Sequence, residues 1–412
     1  MKVKNIVKIL VILEIILLIG NSIVFADIED EEEIVNIEEI ENQVVETASN
    51  ATDEPKLDAR IGLIFDRSSK RILYEKNGLK QVPMASTTKI MTSIVVLENA
   101  NLSDVVTVDK KAAGTGGSRL GLSTNDKITV HDLLYGLMLR SGNDAAVALA
   151  IHVGGSVEGF AEMMNQKARE MGWNNSHFVT PHGLDEKEHY TTAYELACMA
   201  DYALEIPKFK EIVGTKTYYI TINGQSRLIY NTHELLGNLN GVYGVKTGFT
   251  NGAGRCLVTA CKRGDLDIIT VVLGADTKTI RTKDSIKLIE YAYQNYEIID
   301  IGTIVKEQFE KWQQLNEKRI YINKGKNNEM TTKIEELSYQ KIAIKNTQKD
   351  NITININCLY YFEAPVEQDR VIGKVEVKVG DEIIDTLDIK NDEEIQKKEV
   401  LDYFMEFLTM MP

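Results

Sequence analysis

Ser86-Thr87-Thr88-Lys89 places a hydroxyl and an amine three residues apart. On a helix such residues share one face. A serine hydroxyl is a poor nucleophile at neutral pH and needs a base beside it. A lysine can be that base where burial and a neighbouring cation drive off its proton. Two further motifs carry reactive groups. Ser141-Gly142-Asn143 offers a second hydroxyl and a carboxamide, and Lys246-Thr247-Gly248 a cation, a hydroxyl and a residue without a side chain. Singly, each is common; Ser-x-x-Lys alone also describes a helix cap followed by a surface lysine.

The elements that must position these residues read as follows. The Ser86 motif lies where the loop Gln81-Val82-Pro83-Met84-Ala85 meets the apolar run Ile90 to Leu97, which predicts a helix ending near Asn99. Before it, Arg60 to Phe65 and Arg71 to Tyr74 flank the polar turn Asp66 to Lys70 and read as a β-hairpin. Helices then dominate residues 86–205. Thr129-Val-His-Asp132 is a capping pattern for a helix Val130 to Arg140 that stops at Ser141-Gly142-Asn143. A second runs Asp144 to His152, with Asp144 as a simple cap, and a third Val157 to Met171. After the polar loop Trp173 to Tyr190, Thr192-x-x-Glu195 opens another. Strands follow: Tyr218 to Ile222 and Ser226 to Tyr230 around Asn223-Gly224, a short one at Gly244 to Gly248, then Arg255 to Lys262 and Leu266 to Leu273. Ile280 to Tyr296 has helical periodicity. The pattern predicts an α+β domain over 56–297, an antiparallel sheet with a helical block packed on it.

From about Ile299 short strands recur between polar turns: Arg319 to Ile322, Lys341 to Ile344, Asn351 to Ile356, Val371 to Val379, Glu382 to Ile389. This predicts a small all-β domain over 298–392. A terminal amphipathic helix is expected over 393–412, with Leu401, Phe404, Met405, Leu408 and Met411 on one face. Such a face suits either a membrane interface or packing on the protein itself.

Composition narrows the class. The chain has 412 residues, 43 % of them apolar, so two domains with sizeable cores are expected. The net charge is −14 and no basic stripe appears, which argues against nucleic acid as a partner. Residues 27–55 hold twelve acids and no Lys or Arg, and read as a solvated acidic linker. Lys2, Lys4 and Lys8, the apolar run Ile9 to Ile19, and Val24-Phe25-Ala26 read as an export signal over 1–26. Its alternative is an uncleaved anchor; both put the body outside the cytoplasmic membrane. Cys198, Cys256, Cys261 and Cys358 lack metal-ligand spacing and read as small buried residues, a disulfide between distant members being the alternative in an oxidising compartment. His182, Asp185 and His189 have loose metal-like spacing but read as a hydrogen-bonded loop. His152 and Trp173 read as packing, and Glu162 as a solvated helix position. No metal or cofactor is expected.

Taken together and in this order, Ser86-x-x-Lys89, Ser141-x-Asn143 and Lys246-Thr247-Gly248 resemble the active-site set of penicillin-recognising serine enzymes. Phe178-Val-Thr-Pro-His182-Gly183-Leu184-Asp185, His189-Tyr190-Thr191-Thr192-Ala193, Gly244 to Thr250, Ala253-Gly254-Arg255 and Gly274-Ala275-Asp276 resemble the low-molecular-weight D-alanyl-D-alanine carboxypeptidases. The resemblance covers about 57 to 390. It implies a penicillin-binding-protein/β-lactamase-like catalytic domain followed by a β-rich domain. It also implies peptidoglycan stem peptides as substrate, β-lactam antibiotics as inhibitors, and membrane docking through the terminal helix. Ser86 would be the nucleophile, Lys89 its base, Ser141 a proton relay and Asn143 a substrate and Lys89 ligand. Lys246 and Thr247 would bind the terminal carboxylate. Gly248 would let the substrate backbone approach, and the N–H groups of Ser86 and Phe249 would hold the oxyanion. A β-lactamase, a transpeptidase or endopeptidase on the same scaffold, and a non-catalytic wall-binding protein are the alternatives.

Overall fold

The structure is a computed structural model that describes residues 35–48 and 54–409. The expected export signal, residues 27–34 of the acidic linker, and Met411 lie outside them. The chain divides into two compact units, Met1–Ala292 and Tyr293–Pro412.

In the first unit the acidic stretch is not simply a solvated linker. Ile37–Ala48 is a helix (α1) whose Ile37, Ile40 and Val44 are buried while Glu38 and Glu39 are exposed in its first turn. Acids there suit the positive end of the helix dipole, and the spacing of the three apolar residues puts them on one face. The density of acids hides that stripe.

The predicted hairpin forms as β1 (Ile61–Asp66) and β2 (Ile72–Lys76). A 3₁₀ turn, Ala85–Thr88, then opens into α2 (Lys89–Asn99). A short ribbon, β3 (Val105–Thr107) with β4 (Lys127–Thr129), flanks the small helix α3 (Lys110–Ala113). Four helices follow: α4 (Val130–Leu139), α5 (Asn143–Gly154), α6 (Val157–Glu170) and α7 (Ala193–Leu204). A further short helix, α8 (Pro207–Val213), begins at a proline, the residue best suited to a first helical position. The Asn223-Gly224 hairpin pairs β5 (Thr217–Ile222) with β6 (Gln225–Tyr230). Both turn residues have positive φ, as a tight hairpin of this hand requires. The unit closes with β7 (Val242–Thr250), β8 (Gly254–Arg263), β9 (Leu266–Ala275) and α9 (Lys278–Asn295).

The α+β expectation holds. One antiparallel sheet has the order β2-β1-β9-β8-β7. Phe65 of β1 meets Tyr194 of α7, whereas Gly62, of opposite parity on that strand, faces Leu288 of α9. Alternation along a strand puts those contacts on opposite faces, so helices cover both. This is why β8 and β9 are buried almost throughout. Helix α2 is buried from Lys89 to Val96 and touches α4, α5, α6, α7 and α8. A helix apolar all round is a core helix, and this one begins with the motif lysine.

The second unit comprises β10 (Tyr296–Asp300), α10 (Ile301–Asn316), β11 (Tyr321–Asn323), β12 (Thr332–Ile334), β13 (Lys341–Lys345), β14 (Ile352–Cys358), β15 (Tyr361–Glu363), β16 (Val371–Val379), β17 (Glu382–Asn391) and α11 (Val400–Thr409). A four-stranded sheet, β12-β17-β16-β14, is its centre, with the pairs β10-β13 and β11-β15 beside it. The helix α10, absent from the strand-only reading, buries Ile301, Val305, Phe309 and Trp312 in a core with Ile344, Val375 and Leu387. Helix α11 buries no residue: Leu401, Phe404, Met405 and Leu408 are exposed, while Lys326 pairs with Asp402 and Lys398 with Glu406. Its polar side is tied to its own unit and its apolar face is open, against the second of the two alternatives, packing on the protein. Among the described residues no helix is long and apolar enough to cross a membrane.

None of the four cysteines is in a disulfide; Cys256 and Cys261 are buried, but Cys198 and Cys358 are only half-buried. His152 is exposed, its Nε2 3.4 Å from Asp104 Oδ2, rather than packed. Trp173 is buried against Tyr202.

Phe309 stacks on Trp312 with ring centroids 5.5 Å apart. Phe309→Ala is therefore expected to destabilise the second unit by about 3–5 kcal/mol, read as a lower midpoint in chemical denaturation of the full chain. A midpoint unchanged from wild type would show that α10 is not part of this core.

Candidate active site

The turn that presents Ser86 is built from its own threonines. Thr87 Oγ1 donates to Met84 O at 2.5 Å, and Thr88 Oγ1 donates to Ala85 O at 2.8 Å. Ala85 sits at φ +49°, a region that residues with a Cβ rarely enter. Ser86 thus leads into α2 from a 3₁₀ turn rather than from within an α-helix, and still meets Lys89.

Lys89 is fully buried. Its Nζ lies 2.8 Å from Ser86 Oγ, 2.7 Å from Asn143 Oδ1 and 2.9 Å from His182 O. A buried amine needs such partners. These come from three separate stretches: the turn, the start of α5, and the loop after Phe178.

Ser141 sits in the turn between α4 and α5, and Asn143 is the first residue of α5. Ser141 has φ +60°, is fully buried, and its Oγ has no hydrogen-bond partner. Such an orphan hydroxyl is uncommon in a protein interior. Asn143 Nδ2 donates to Gly116 O at 2.9 Å, and its backbone N–H donates to Ser118 O at 2.8 Å. Gly117 has φ +78°, and a Cβ there would lie 2.6 Å from Asn143 Nδ2. Asp144 does more than cap α5. Its carboxylate accepts from the N–H groups of Leu120, Gly121, Leu122 and Ala145 at 2.7–2.9 Å, anchoring the strip that also meets Asn143. Sequence reasoning missed this anchor; the available signal is a lone acid in an otherwise apolar helix.

Lys246, Thr247, Gly248 and Phe249 lie on β7, an edge strand beside the Ser86 turn. Lys246 is buried, with Nζ donating to Thr247 O at 3.0 Å. Thr247 Oγ1 is 2.9 Å from Thr232 Oγ1, a partner that the motifs do not point to. A Cβ on Gly248 would come within 3.0 Å of Ser86 N and 3.1 Å of Thr87 N, so only glycine lets strand and turn lie this close. Phe249 is half-buried under the Arg255 guanidinium, 4.4 Å from its ring centre.

The loop of His182, Asp185 and His189 is held by hydrogen bonds, as its composition predicts. His189 Nδ1 accepts from Val179 N at 3.0 Å, and Nε2 meets Thr88 Oγ1 at 2.8 Å. Asp185 accepts from Thr250 Oγ1 at 2.6 Å and Gly252 N at 2.9 Å. Burial is the largest cause that pushes His182 down to about 3, and burial, with His177 beside it, pushes His189 down to about 4. Both rings are neutral at physiological pH. Glu162 is exposed and pairs with Arg169 at 2.9 Å.

The site therefore gathers all three motifs at one place. Known proteins share this arrangement of fold and sequence. A family model described as D-alanyl-D-alanine carboxypeptidase matches residues 48–277, and one described as penicillin-binding protein 5, C-terminal domain, matches residues 293–397. D-alanyl-D-alanine carboxypeptidase DacF of Bacillus subtilis is 32% identical over 357 residues, covering 84% of this chain and 88% of that protein. DacC of Escherichia coli is 37% identical over 269 residues, 61% of this chain and 65% of that one. Penicillin binding protein 5 from Haemophilus influenzae superposes with a TM-score of 0.69 at 27% identity, over 84% of this chain and all of that one. The Streptomyces K15 DD-transpeptidase superposes with a TM-score of 0.57 at 34% identity, over 59% of this chain and all of that one. By the span of the family model and the extent of the match to DacF, the chain belongs to the D-alanyl-D-alanine carboxypeptidase family.

Proposed function

We propose that the protein is a serine-type D-alanyl-D-alanine carboxypeptidase that removes the terminal D-alanine of peptidoglycan stem pentapeptides. One observation carries the mechanism: the three oxygens around Lys89 Nζ. Asn143 Oδ1 and His182 O can only accept hydrogen bonds, whereas Ser86 Oγ can donate. A neutral amine has two hydrogens for the first two and a lone pair for the third. The 2.8 Å contact with Ser86 Oγ supports Lys89, in its deprotonated form, as the base for Ser86.

Ser86 Oγ then bonds to the carbonyl carbon between the last two D-alanines, and its proton passes to Lys89. The oxyanion rests on the N–H groups of Ser86 and Phe249. The C–N bond breaks, and Ser141 passes the proton to the departing amine. Lys246 and Thr247 hold the terminal carboxylate by charge and hydroxyl, and Asn143 steadies the substrate amide. Water, activated by Lys89, cleaves the ester and frees the shortened peptide and Ser86. A β-lactam would acylate the same oxygen. The likeness to the Streptomyces K15 DD-transpeptidase supports a second outcome on this scaffold, transfer of the acyl group to an amine instead of water.

Ser86→Ala is expected to abolish both D-alanine release from a peptide ending in D-Ala-D-Ala and the penicillin adduct seen by mass spectrometry. An adduct mapped to another residue would overturn the assignment. Transfer to added amine exceeding hydrolysis would establish the transpeptidase.

Acid stability follows from the buried histidines. His182, His189 and His233 are held at about 3, 4 and 4, burial being the largest cause for each. Each has a folded-state pKa below its unfolded value of about 6.5, so the unfolded chain binds more protons between those values. The stability they contribute is complete above about pH 6.5 and is lost as pH falls towards 4, by up to roughly 1.4 kcal/mol per histidine per pH unit. Urea denaturation between pH 7 and pH 4 should show stability falling with pH; a flat profile would contradict neutral burial.

For localisation we propose export by residues 1–26 and attachment to the outer face of the cytoplasmic membrane. The exposed face of α11 supports the attachment. Phe404→Glu with Leu408→Glu should move the protein from the membrane to the soluble fraction, with D-alanine release unchanged. Continued sedimentation with membranes would reject α11 as the anchor.

A further inference from the structure

The loop after Phe178 meets both the Ser86–Lys89 stretch and the end of β7, yet two of its side chains have no role in the steps above. His189 is 3 % exposed. Its Nδ1 accepts from Val179 N, which leaves the ring proton on Nε2 in the neutral form. That N–H donates to Thr88 Oγ1 at 2.8 Å, and Thr88 Oγ1 donates to Ala85 O at 2.8 Å. The chain of bonds ends on the one residue of the turn in the left-handed region, Ala85 at φ +49°. The conformation of Ala85 sets the direction in which the N–H and hydroxyl of Ser86 leave the turn.

The other side chain is Asp185. Its two oxygens take Thr250 Oγ1 and Gly252 N, at the end of β7. Thr250 Oγ1 in turn accepts from Ala253 N at 3.1 Å. Asp185 thereby fixes the strand that carries Phe249. Between these two points the packing has no slack. A Cβ on Gly183 would lie 1.9 Å from Ala85 O, and one on Gly248 3.0 Å from Ser86 N.

We propose that His189 and Asp185 are positioning residues for the acylation step. The loop that carries both acts as a spacer between the Ser86 turn and β7, and so between the two N–H groups that hold the oxyanion. His189 works through Thr88 on one side, and Asp185 directly on the other. The inference rests on the functional reading above, in which those N–H groups belong to Ser86 and Phe249. Donors to an oxyanion act only at short, preset distances, and displacements of about 1 Å at a reacting centre cost on the order of 10²-fold in rate. Asp185 is exposed, so water competes for its partners and its effect is the smaller of the two.

The test uses the full chain and three variants. Thr88→Val removes the hydroxyl with little change of shape, Thr88→Ser keeps it, and Asp185→Ala cuts the second arm. Two quantities are measured: the rate of acylation of Ser86 by penicillin, and the affinity for a peptidyl boronic acid, whose tetrahedral adduct carries charge where the oxyanion forms. Thr88→Val should slow acylation by about 10²-fold and Asp185→Ala by about tenfold, with boronate affinity falling by matching factors and KM nearly constant. Thr88→Ser should recover most of the loss. Wild-type acylation rates in both Thr88→Val and Asp185→Ala would overturn the proposal. So would slower acylation with undiminished boronate affinity, because a residue needed only for folding would not track the tetrahedral state. A wild-type protein that forms no adduct on Ser86 would instead overturn the functional reading itself, and the proposal with it.

Discussion

The first unit depends on the burial of one amine. Lys89 Nζ is withdrawn from water at the start of α2, a helix buried over its first eight residues. Removing a charged or polar amine from water costs several kcal/mol unless it is paired. Here the compensating oxygens are Ser86 Oγ, Asn143 Oδ1 and His182 O. No two of them belong to the same element, so satisfying one group forces three distant stretches of chain to converge. The geometry needed for chemistry and the geometry needed to bury Lys89 are the same.

Convergence alone does not give a reactive site, because two of the converging turns are locally unfavourable. Ala85 and Ser141 both carry a Cβ at positive φ, +49° and +60°. Conformations of this kind persist only where the surroundings over-determine them. The Ser86 turn is held by Thr87, Thr88 and the contact with Gly183. The Ser141 turn is flanked by Asp144, whose carboxylate is committed to four backbone N–H groups. Rigid support next to strained turns leaves Ser86 Oγ and Ser141 Oγ with fixed directions. A buried hydroxyl such as Ser141 Oγ, unpartnered within the chain, is costly unless a substrate group completes its hydrogen bonding.

Much of this is legible in the sequence, and the remainder is hidden for identifiable reasons. Hairpins and helix caps are local, so Asn223-Gly224 and Thr129-Val-His-Asp132 lead to correct elements. Thr129 Oγ1 indeed accepts from Asp132 N at 3.1 Å. The three motifs can be read because each is short. What spacing does not encode is contact over long separations: Lys89 to His182, Thr88 to His189, Thr232 to Thr247. Helix α10 is a different case. Ile301, Val305, Phe309 and Trp312 stand at helical spacing, but the run of short strands around them points towards β structure. In α1 the opposite happens, where a local excess of acids masks an apolar stripe that total charge does not exclude.

The arrangement also bears on why a carboxypeptidase fits this site better than an efficient β-lactamase. Rapid release of a penicilloyl ester calls for a second base, a carboxylate that activates water independently of the lysine used in acylation. Three carboxylates follow Asn143 closely in sequence, and all are occupied elsewhere; Glu158 is exposed and pairs with Lys111. Asp144 is saturated by Leu120, Gly121, Leu122 and Ala145. Glu162 is exposed on α6 and paired with Arg169. In the proposed mechanism Lys89 is then left to serve both half-reactions, taking the proton of Ser86 in the first and that of water in the second. A single base in a closely packed cleft suits a leaving group that diffuses away, as free D-alanine does, and makes room for water. A β-lactam keeps its leaving amine tethered to the acyl group after the ring opens. The same economy of groups that suffices for the peptide therefore favours a long-lived adduct with the drug.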